Sequence, residues 1–574
     1  MNDATLFTPT VSQRHLRLGG LLLGALSYAL WLVWQFREDV RVNGSFFYGI
    51  DDAYIHLSMA RNLAEHGTYG ISPGIFSSAS SGPLWTALLG LFLVILPHSL
   101  WEFAPFILGI LCTFAAFGLV VHALTHAIQG TTRWQAAIFA VLCVLLPPAM
   151  GLLTLVFHGM EHGLHMLATM TFALMAAQYC LGKVRVFWLL LLAFAIPLVR
   201  FESLAPVFAG AGILFLYGQR RLGIGLILAS LAALFAQGAW SAAHGEFWLP
   251  NSVLVKLWIH AAAPAAAAAA KGVAAPIVVE SPSIFAKLGG LVARIVGRWG
   301  PNLGYDLSAL TAFVAAISLV AWRAGRSLLA RADIALFGIA LTTWLAQTAM
   351  ASGGPDFARY LSYLTGIGLL ATAWLGGEFW LRPRALTWPR LAMQSGVLFV
   401  FIIASSNLLA REAEIGASTV GMSRYVDAAN FVRALPPGAV AVDDLGLVSW
   451  WRNDVMIDIY GLANHEVAKN LLAGTYDART LDRICRTAGV RVAVVADEIL
   501  PREPAKALGS RPANWRVVGC FVAPGQKVSH SGCVFATTPD AFAPTLELLR
   551  HQTLSPRTMQ RLVLSGDPEL AGLE

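Results

Sequence analysis

Two adjacent aspartates, Asp51 and Asp52, open the segment DDAYIHLSMARNLAEHG, which follows the first apolar stretch of the chain. Apolar residues recur at helical spacing behind the pair, so the segment predicts a helix that stops at Gly67. One aspartate would suffice to cap that helix, whereas two neighbouring carboxylates repel each other unless a cation offsets them. The pair could therefore divide the work of a general base and of a metal-binding or orienting group.

Polar connections between later apolar runs carry more ionisable residues. The segment GMEH contains Glu161, and PLVRFES contains Arg200 with Glu202. Arg200 and Glu202 could form a buried ion pair that closes a turn, since charges at membrane depth generally pair. An arginine at that depth could equally bind a lipid-linked phosphate.

Two further connections offer polar groups of the same kind. LPNSVLVK contains Asn251 and Lys256, and GGPDFARY contains Asp356, Arg359 and Tyr360. A salt bridge or a snorkelling arginine is the alternative to a ligand contact in the second of these segments.

Composition places these connections in a membrane protein. Hydrophobic residues make up 57% of the chain and charged residues 13%, against about 25% charged residues in soluble domains. The net charge of +7 comes without a basic run interleaved with aromatic residues, so nucleic-acid binding is not expected. Arg14 and Arg17 precede an apolar stretch that lacks a cleavage signature, which indicates a retained anchor.

Apolar runs of about 15 to 25 residues predict about eleven transmembrane helices together with juxtamembrane helices. The runs lie near 17–36, 102–125, 134–156, 161–181, 186–199, 203–217, 221–240, 303–322, 333–351, 360–378 and 391–409. We assign the shorter segment 83–100 to the membrane interface. The basic connections then share one face with the amino end, which makes that face cytoplasmic. The polar connections and the carboxyl end are expected on the periplasmic side of a bacterial inner membrane.

The chain is expected to divide into a transmembrane catalytic domain, 1–420, and a periplasmic α/β domain, 421–574. Residues 261–281 are of low complexity, and residues 283–299 predict an amphipathic interfacial helix. Cys520 and Cys533 lie in adjacent predicted strands, where a disulfide is expected on an oxidising side, and Cys485 would stay unpaired. No P-loop or dinucleotide-binding turn occurs, so no nucleotide cofactor is expected.

The segments DDAYIHLSMARNLAEHG, SGPLW, GMEH, RFES, LPNSVLVK and GGPDFARY, taken in this order, resemble the GT-C superfamily of integral-membrane glycosyltransferases. The nearest branch contains bacterial terminal arabinofuranosyltransferases. The resemblance implies transfer of a sugar, arabinofuranose by analogy with that branch, from a polyprenyl-phosphate donor to a hydroxyl of a glycan, lipid or protein acceptor. It implies that Asp51 accepts the hydroxyl proton. It also implies that Asp52 and Glu161 orient groups or hold a divalent cation, Mg²⁺ or Mn²⁺.

The resemblance further implies a set of substrate-binding residues, in which Arg200, Lys256 and Arg359 neutralise the phosphate. The full set is His56, Glu161, Arg200, Glu202, Asn251, Lys256, Asp356, Arg359 and Tyr360. A flippase of lipid-linked sugars is a second hypothesis, but it predicts paired repeats, and the sequence shows none. An O-antigen ligase or polymerase is a third, and the early aspartate pair and the terminal domain argue against it.

Overall fold

The computed structural model describes most of the chain. The described residues are 11–126, 130–258, 315–320, 323, 330–350, 358–381, 415–495, 511–525, 528, 532–555 and 560–570. They form two compact units. The first unit takes in described residues of Met1–Glu38, Phe106–Leu234 and Ser281–Gly416, and the second those of Asp39–Pro105, Phe235–Glu280 and Ala417–Glu574.

The predicted low-complexity segment, the amphipathic helix at 283–299, the span near 391–409 and Asp356 lie outside the described residues. The span near 303–322 is described only at 315–320, which is helical.

The first unit is a bundle of apolar helices. Its helices are the larger part of Gln13–Asn43, then Ala104–Thr125, Arg133–Ala149, Leu152–Phe157, His162–Tyr179, Val186–Val199, Leu204–Leu216, most of Arg220–Ala243, Arg331–Met350 and Ala358–Leu381. A short 3-10 helix, Phe201–Ser203, and a two-residue antiparallel pairing of Val11–Ser12 with Gly130–Thr131 complete it. The core is built from interlocking large and small side chains such as Phe172, Ala211 and Leu370.

Large apolar side chains also cover an outer face of this bundle. Leu22, Leu26 and Leu30 follow each other at intervals of one helical turn on Gln13–Asn43, and all three are exposed. A continuous apolar row on the outside of a helix is unstable in water and stable against lipid. The protein is therefore a membrane protein.

Among the described residues, four helical segments are long and apolar enough to cross a membrane, namely Gln13–Asn43, His98–Thr125, Gln135–Phe157 and Arg220–Ala243. Val186–Val199 and Phe201–Leu216 are apolar but shorter. The expected count of about eleven spans stays a prediction.

One predicted span is interrupted. The run at 134–156 forms two helices, Arg133–Ala149 and Leu152–Phe157, with Gly151 in the left-handed region between them at a φ of 66°. Pro147 and Pro148 lie in the last turn of the first helix. Proline lacks the N–H that would extend the hydrogen-bond ladder, and glycine adopts positive φ without strain. These three residues together explain the break.

The segment assigned to the membrane interface is a short helix, Pro83–Ile95, of 13 residues. At about 1.5 Å per residue it is about 20 Å long, less than the hydrocarbon thickness of about 30 Å. Leu91, Val94 and Ile95 near its end are exposed. A helix of this length and surface suits the edge of a bilayer.

The second unit joins helices from the early chain to the α/β region. Its helices are Asp52–His66, Pro83–Ile95, the residues 251–258, most of Ile415–Ala434, Gly446–Trp451, His465–Leu472, Ala478–Thr487 and Pro539–Arg550. Short 3-10 helices lie at His98–Phe103 and Pro568–Leu570. The division of the chain at residue 420 stays a prediction.

A six-stranded mixed sheet forms the centre of the α/β region. Its strands in spatial order are Met456–Asp458, Val440–Val442, Val492–Val495, Gly532–Ala536, Arg516–Val522 and Arg561–Leu564. The first three are parallel and the others antiparallel. The predicted α/β character of this region is thus present in the structure.

The expected disulfide joins Cys520 and Cys533 across two paired strands. Cys112, Cys143, Cys180 and Cys485 are free. The bridge closes a loop of 13 residues, and the chain-entropy model assigns about 3 kcal/mol to a loop of that size. We therefore expect the double substitution Cys520→Ser with Cys533→Ser to lower the free energy of unfolding of this region by about 3 kcal/mol, measured by denaturant unfolding.

A reductant should affect the wild type in the same direction and leave the double variant unchanged. The prediction fails if all six cysteines of the denatured, unreduced protein react with a maleimide.

Candidate functional site

The Asp51 carboxylate binds the start of a distant helix. Oδ2 accepts a hydrogen bond from the Gly446 N–H at 2.6 Å, and Oδ1 accepts one from the Leu447 N–H at 2.8 Å. These are the first two N–H groups of helix Gly446–Trp451, which have no partner within that helix. Asp51 has helical dihedral angles and makes no side-chain cap on its own helix, Asp52–His66. Asp51 therefore does not act as the side-chain N-cap of helix Asp52–His66.

Arg61 holds the opposite end of the same short helix. Its guanidinium donates to the carbonyls of Ser449 and Trp450, both at 2.8 Å, and lies 4.9 Å from the centre of the Trp450 ring. Between the two ends, the Ser449 hydroxyl donates to the Ser58 hydroxyl. An anion at the N–H end and a cation at the carbonyl end both match the helix dipole. Asp51 and Arg61 therefore bind the two ends of helix Gly446–Trp451, and we call this pair of residues the clamp.

Gly446 is required by the close approach of Asp51. A Cβ at this position would lie 2.1 Å from the Asp51 carbonyl oxygen and 2.6 Å from Oδ2. We expect Gly446→Ala to separate the clamp from the helix and to destabilise the second unit by about 1–3 kcal/mol, as overpacking does. Thermal unfolding of the purified protein measures this.

Gly212→Ala is the matched control, because Gly212 lies inside helix Leu204–Leu216 and a Cβ there meets no atom within 4 Å. Equal thermal midpoints for the two variants would contradict the clamp.

Burial raises the pKa of Asp51 to about 7, and the neighbouring carboxylates Asp444 and Asp52 act in the same direction. The two hydrogen bonds from Leu447 and Gly446 oppose this change. Asp444 thus joins the aspartate pair as a third carboxylate in the same electrostatic environment.

Tyr460 belongs to the same group of charges. Burial raises the pKa of its phenol, the nearby Lys256 lowers it, and Asp444 and Asp52 raise it. Asp444 and Tyr460 each follow one of two neighbouring parallel strands, Val440–Val442 and Met456–Asp458. The carboxyl ends of parallel strands are a common place for functional groups. Asp444 and Tyr460 are not among the site residues predicted from the sequence.

Lys256 is the cation beside the aspartate pair. Its Nζ lies 3.8 Å from Oδ2 of Asp52, with the two side chains 45% and 28% exposed. Lys256 thus supplies the positive charge that offsets the repulsion between the adjacent carboxylates of Asp51 and Asp52. Because both groups are partly exposed, the pair is accessible to a ligand from solvent.

His56 lies in a buried hydroxyl network. Its Nδ1 is 2.9 Å from the Thr86 hydroxyl and 3.2 Å from the Ser80 hydroxyl. The Ser80 hydroxyl also accepts the Gly82 N–H. This network joins helix Asp52–His66 to the loop that contains Ser80 and Gly82 and to helix Pro83–Ile95. Only 3% of His56 is exposed.

The first unit holds a buried ion triad. Nη1 of Arg200 donates to Glu161, while Nε and Nη2 donate to the two oxygens of Glu202 at 3.2 and 2.8 Å. Arg200 and Glu161 are buried, and Glu202 is partly exposed. The sequence left two roles open for Arg200, an ion pair with Glu202 or a phosphate contact. The structure shows the ion pair with Glu202, and Glu161 is a second carboxylate bound to Arg200.

An aromatic contact lies on helix His162–Tyr179, which directly follows Glu161. The imidazole of His165 lies against the Tyr363 ring, with centres 4.2 Å apart, and the Tyr363 hydroxyl donates to Gln347. These contacts join helix His162–Tyr179 to helix Ala358–Leu381, and that helix to Arg331–Met350.

The remaining predicted residues are placed as follows. Asn251 is buried, with its main-chain N–H donating to Ser78 and its side-chain amide donating to Glu246. Arg359 and Tyr360 lie in the first turn of helix Ala358–Leu381, and their side chains are outside the described part.

A divalent cation was expected between Asp52 and Glu161. Across the described ranges, no three His, Cys, Asp or Glu side chains are grouped to hold a metal ion. Glu161 is bound to Arg200, and Asp52 is paired with Lys256. These donors do not fit a resident cation, so we derive no step through a metal.

Three of the solved structures to which this chain is similar are described next. The Archaeoglobus fulgidus oligosaccharyltransferase, tethered with an acceptor peptide, is 13% identical over 89% of this chain and 74% of its own, with a TM-score of 0.47. ArnT from Cupriavidus metallidurans, bound to undecaprenyl phosphate, is 14% identical over 90% and 98%, with a TM-score of 0.48. The mycobacterial arabinofuranosyltransferase AftD is 14% identical over 90% and 41%, with a TM-score of 0.40.

At these identities and TM-scores, we carry no residue role from these structures to this chain. A family model described as "Domain of unknown function (DUF8728)" matches residues 409–541, within the carboxyl-terminal part. No curated protein matches the chain.

Proposed function

We propose that this membrane protein is a glycosyltransferase that moves a sugar from a polyprenyl-phosphate donor to an acceptor hydroxyl on the periplasmic side of a bacterial inner membrane. The observation that carries the proposal is the accessible Asp52–Lys256 pair, held beside Asp51 and Asp444 in a protein with apolar, lipid-facing helices. Arabinofuranose is the sugar that the sequence resemblance favours.

The two aspartates take different roles. Both oxygens of Asp51 accept main-chain N–H groups, so we assign Asp51 to positioning and not to the proton transfer that the sequence resemblance implies. Asp52 is the more suitable base, because its carboxylate is partly exposed. A general base of this kind contributes about 10²- to 10⁴-fold to a rate.

The proposed step conserves charge and atoms. The acceptor hydroxyl loses its proton to Asp52 as its oxygen attacks the anomeric carbon of the sugar. The bond from that carbon to the phosphate oxygen breaks, and polyprenyl phosphate leaves with the electron pair. Lys256 neutralises the charge that develops on the leaving phosphate. Arg200, already bound by two carboxylates, fixes Glu161 in place.

The test incubates the purified protein in liposomes with a panel of radiolabelled polyprenyl-phosphate sugars and octyl glycoside acceptors, with and without a chelator. We expect transfer by the wild type and a loss of at least about 100-fold in Asp52→Asn. Asp540→Asn is the matched control, because Asp540 is an exposed aspartate paired with Arg491 at 2.7 Å. No transfer from any donor overturns the proposal, and transbilayer movement of donor without turnover would identify a flippase.

A further inference from the structure

A buried glutamate in the second unit joins a histidine to an asparagine. Oε2 of Glu246 accepts a hydrogen bond from Nδ2 of Asn251 at 2.8 Å and lies 2.9 Å from Nδ1 of His465. The Glu246 side chain is 6% exposed, whereas that of His465 is 31% exposed. The carboxylate therefore holds one edge of the imidazole in the interior, while part of the ring stays accessible.

The carboxylate contact determines which nitrogen carries the proton. An ionised carboxylate only accepts hydrogen bonds, so Nδ1 of His465 is protonated. In the neutral ring, Nε2 is then a hydrogen-bond acceptor with a fixed orientation. The ring also packs against Phe247, with ring centres 4.5 Å apart. His465 is the first residue of helix His465–Leu472, which Asn464 caps.

Asn251 offers a second acceptor next to this pair. Its Nδ2 must donate to Glu246, which leaves Oδ1 as the acceptor of the carboxamide. That oxygen is buried and has no hydrogen-bond partner among the described residues. A buried acceptor without a donor is destabilising, and a hydroxyl group that enters and donates to it removes the penalty.

We propose that Asn251 and His465 form a binding site for the hydroxyl groups of a sugar. Oδ1 of Asn251 and Nε2 of the neutral His465 ring are both acceptors, which pair with hydroxyl donors and repel the oxygens of a phosphate. Within the proposed function, on which its role in the reaction rests, this site binds the acceptor sugar and not the phosphate of the donor. Glu246 is the positioning residue that orients both side chains.

Two substitutions of His465 separate binding from a purely structural role. In His465→Asn the amide nitrogen can replace Nδ1 on Glu246, but nothing replaces Nε2. In His465→Gln the longer side chain can place an oxygen near the Nε2 position, but the contact with Glu246 is lost. His551→Asn is the control, since His551 pairs with Glu547 at 2.9 Å on the exposed surface.

With octyl arabinofuranoside and octyl mannopyranoside as acceptors, we expect His465→Asn to raise the acceptor KM about tenfold, the value of one hydrogen bond. Its kcat and thermal midpoint should stay near those of the wild type. His465→Gln should keep more of the acceptor affinity and lose thermal stability. A wild-type KM in His465→Asn, or KM changes that merely follow stability in both variants, overturns the proposal.

A measurement without turnover keeps this result separate from the proposed function. Diethyl pyrocarbonate modifies accessible imidazole nitrogens, and mass spectrometry reports the rate at each histidine. We expect methyl arabinofuranoside or methyl mannopyranoside to slow modification of His465 at least fivefold, while per-O-methylated glycosides and the control His551 show no effect. Protection in a protein that transfers no sugar would refute only the proposed function. Equal rates with and without the hydroxylated glycosides overturn the site.

Discussion

Asp52→Asn is expected to reduce sugar transfer by about 10²- to 10⁴-fold while thermal unfolding stays unchanged, because it removes a proton acceptor from a partly exposed position. Asp51→Asn is expected to affect the structure as well as the rate of transfer. An amide has one acceptor oxygen, and its NH₂ group would face one of the two N–H donors, Gly446 and Leu447, that Asp51 now binds. Asp51→Asn should therefore lose activity and also loosen helix Gly446–Trp451.

Hydrogen exchange at the amides of Gly446 and Leu447 measures the second effect directly. Both amides should exchange faster in Asp51→Asn and at the wild-type rate in Asp52→Asn. An inactive Asp51→Asn with unchanged exchange, together with an active Asp52→Asn, would return the role of base to Asp51.

Arg200→Ala is expected to lower the free energy of unfolding by about 3–5 kcal/mol, because it leaves the buried Glu161 without its cation. Denaturant unfolding in detergent measures this loss, and sugar transfer should fall with it. Arg200→Lys should cost less, since it keeps the charge and loses only the planar donor pattern that meets both oxygens of Glu202.

The matched control is Arg561→Ala. Arg561 also binds both oxygens of a glutamate, Glu569, but this pair lies on the surface. Exposed ion pairs contribute little, so the control should unfold almost as the wild type does. Equal stability of Arg200→Ala and wild type would show that the triad is not a structural element of the first unit.

Local patterns predicted local structure well. Helical spacing and a terminal glycine predicted a helix between the aspartate pair and Gly67, and the helix is Asp52–His66, with Gly67 at a φ of 66°. The pairing of Cys520 with Cys533 was predicted from two adjacent strands and is present. In both cases the determining contacts lie within a few residues or between neighbouring strands.

Contacts between distant segments could not be predicted. Asp51 lies 395 residues from Gly446, and no pattern in either segment indicates that the two are in contact. For Arg200 the sequence left an ion pair and a phosphate ligand open, because the decisive group, Glu161, is 39 residues away on another helix. Asp444 and Tyr460 could have been found by asking which residues follow neighbouring parallel strands.

The clamp on helix Gly446–Trp451 has a consequence for the order of events during biosynthesis. Chains elongate at about 5–20 residues per second, and 395 residues separate Asp51 from Gly446, so roughly 20–80 seconds pass before the ribosome delivers the partner of this carboxylate. During that interval the residues of helix Asp52–His66 are already synthesised, while the groups that Asp51 and Arg61 bind in helix Gly446–Trp451 are not. The contacts between helix Asp52–His66 and helix Gly446–Trp451 can therefore form only late in translation, and a chain that stops before residue 446 cannot form them.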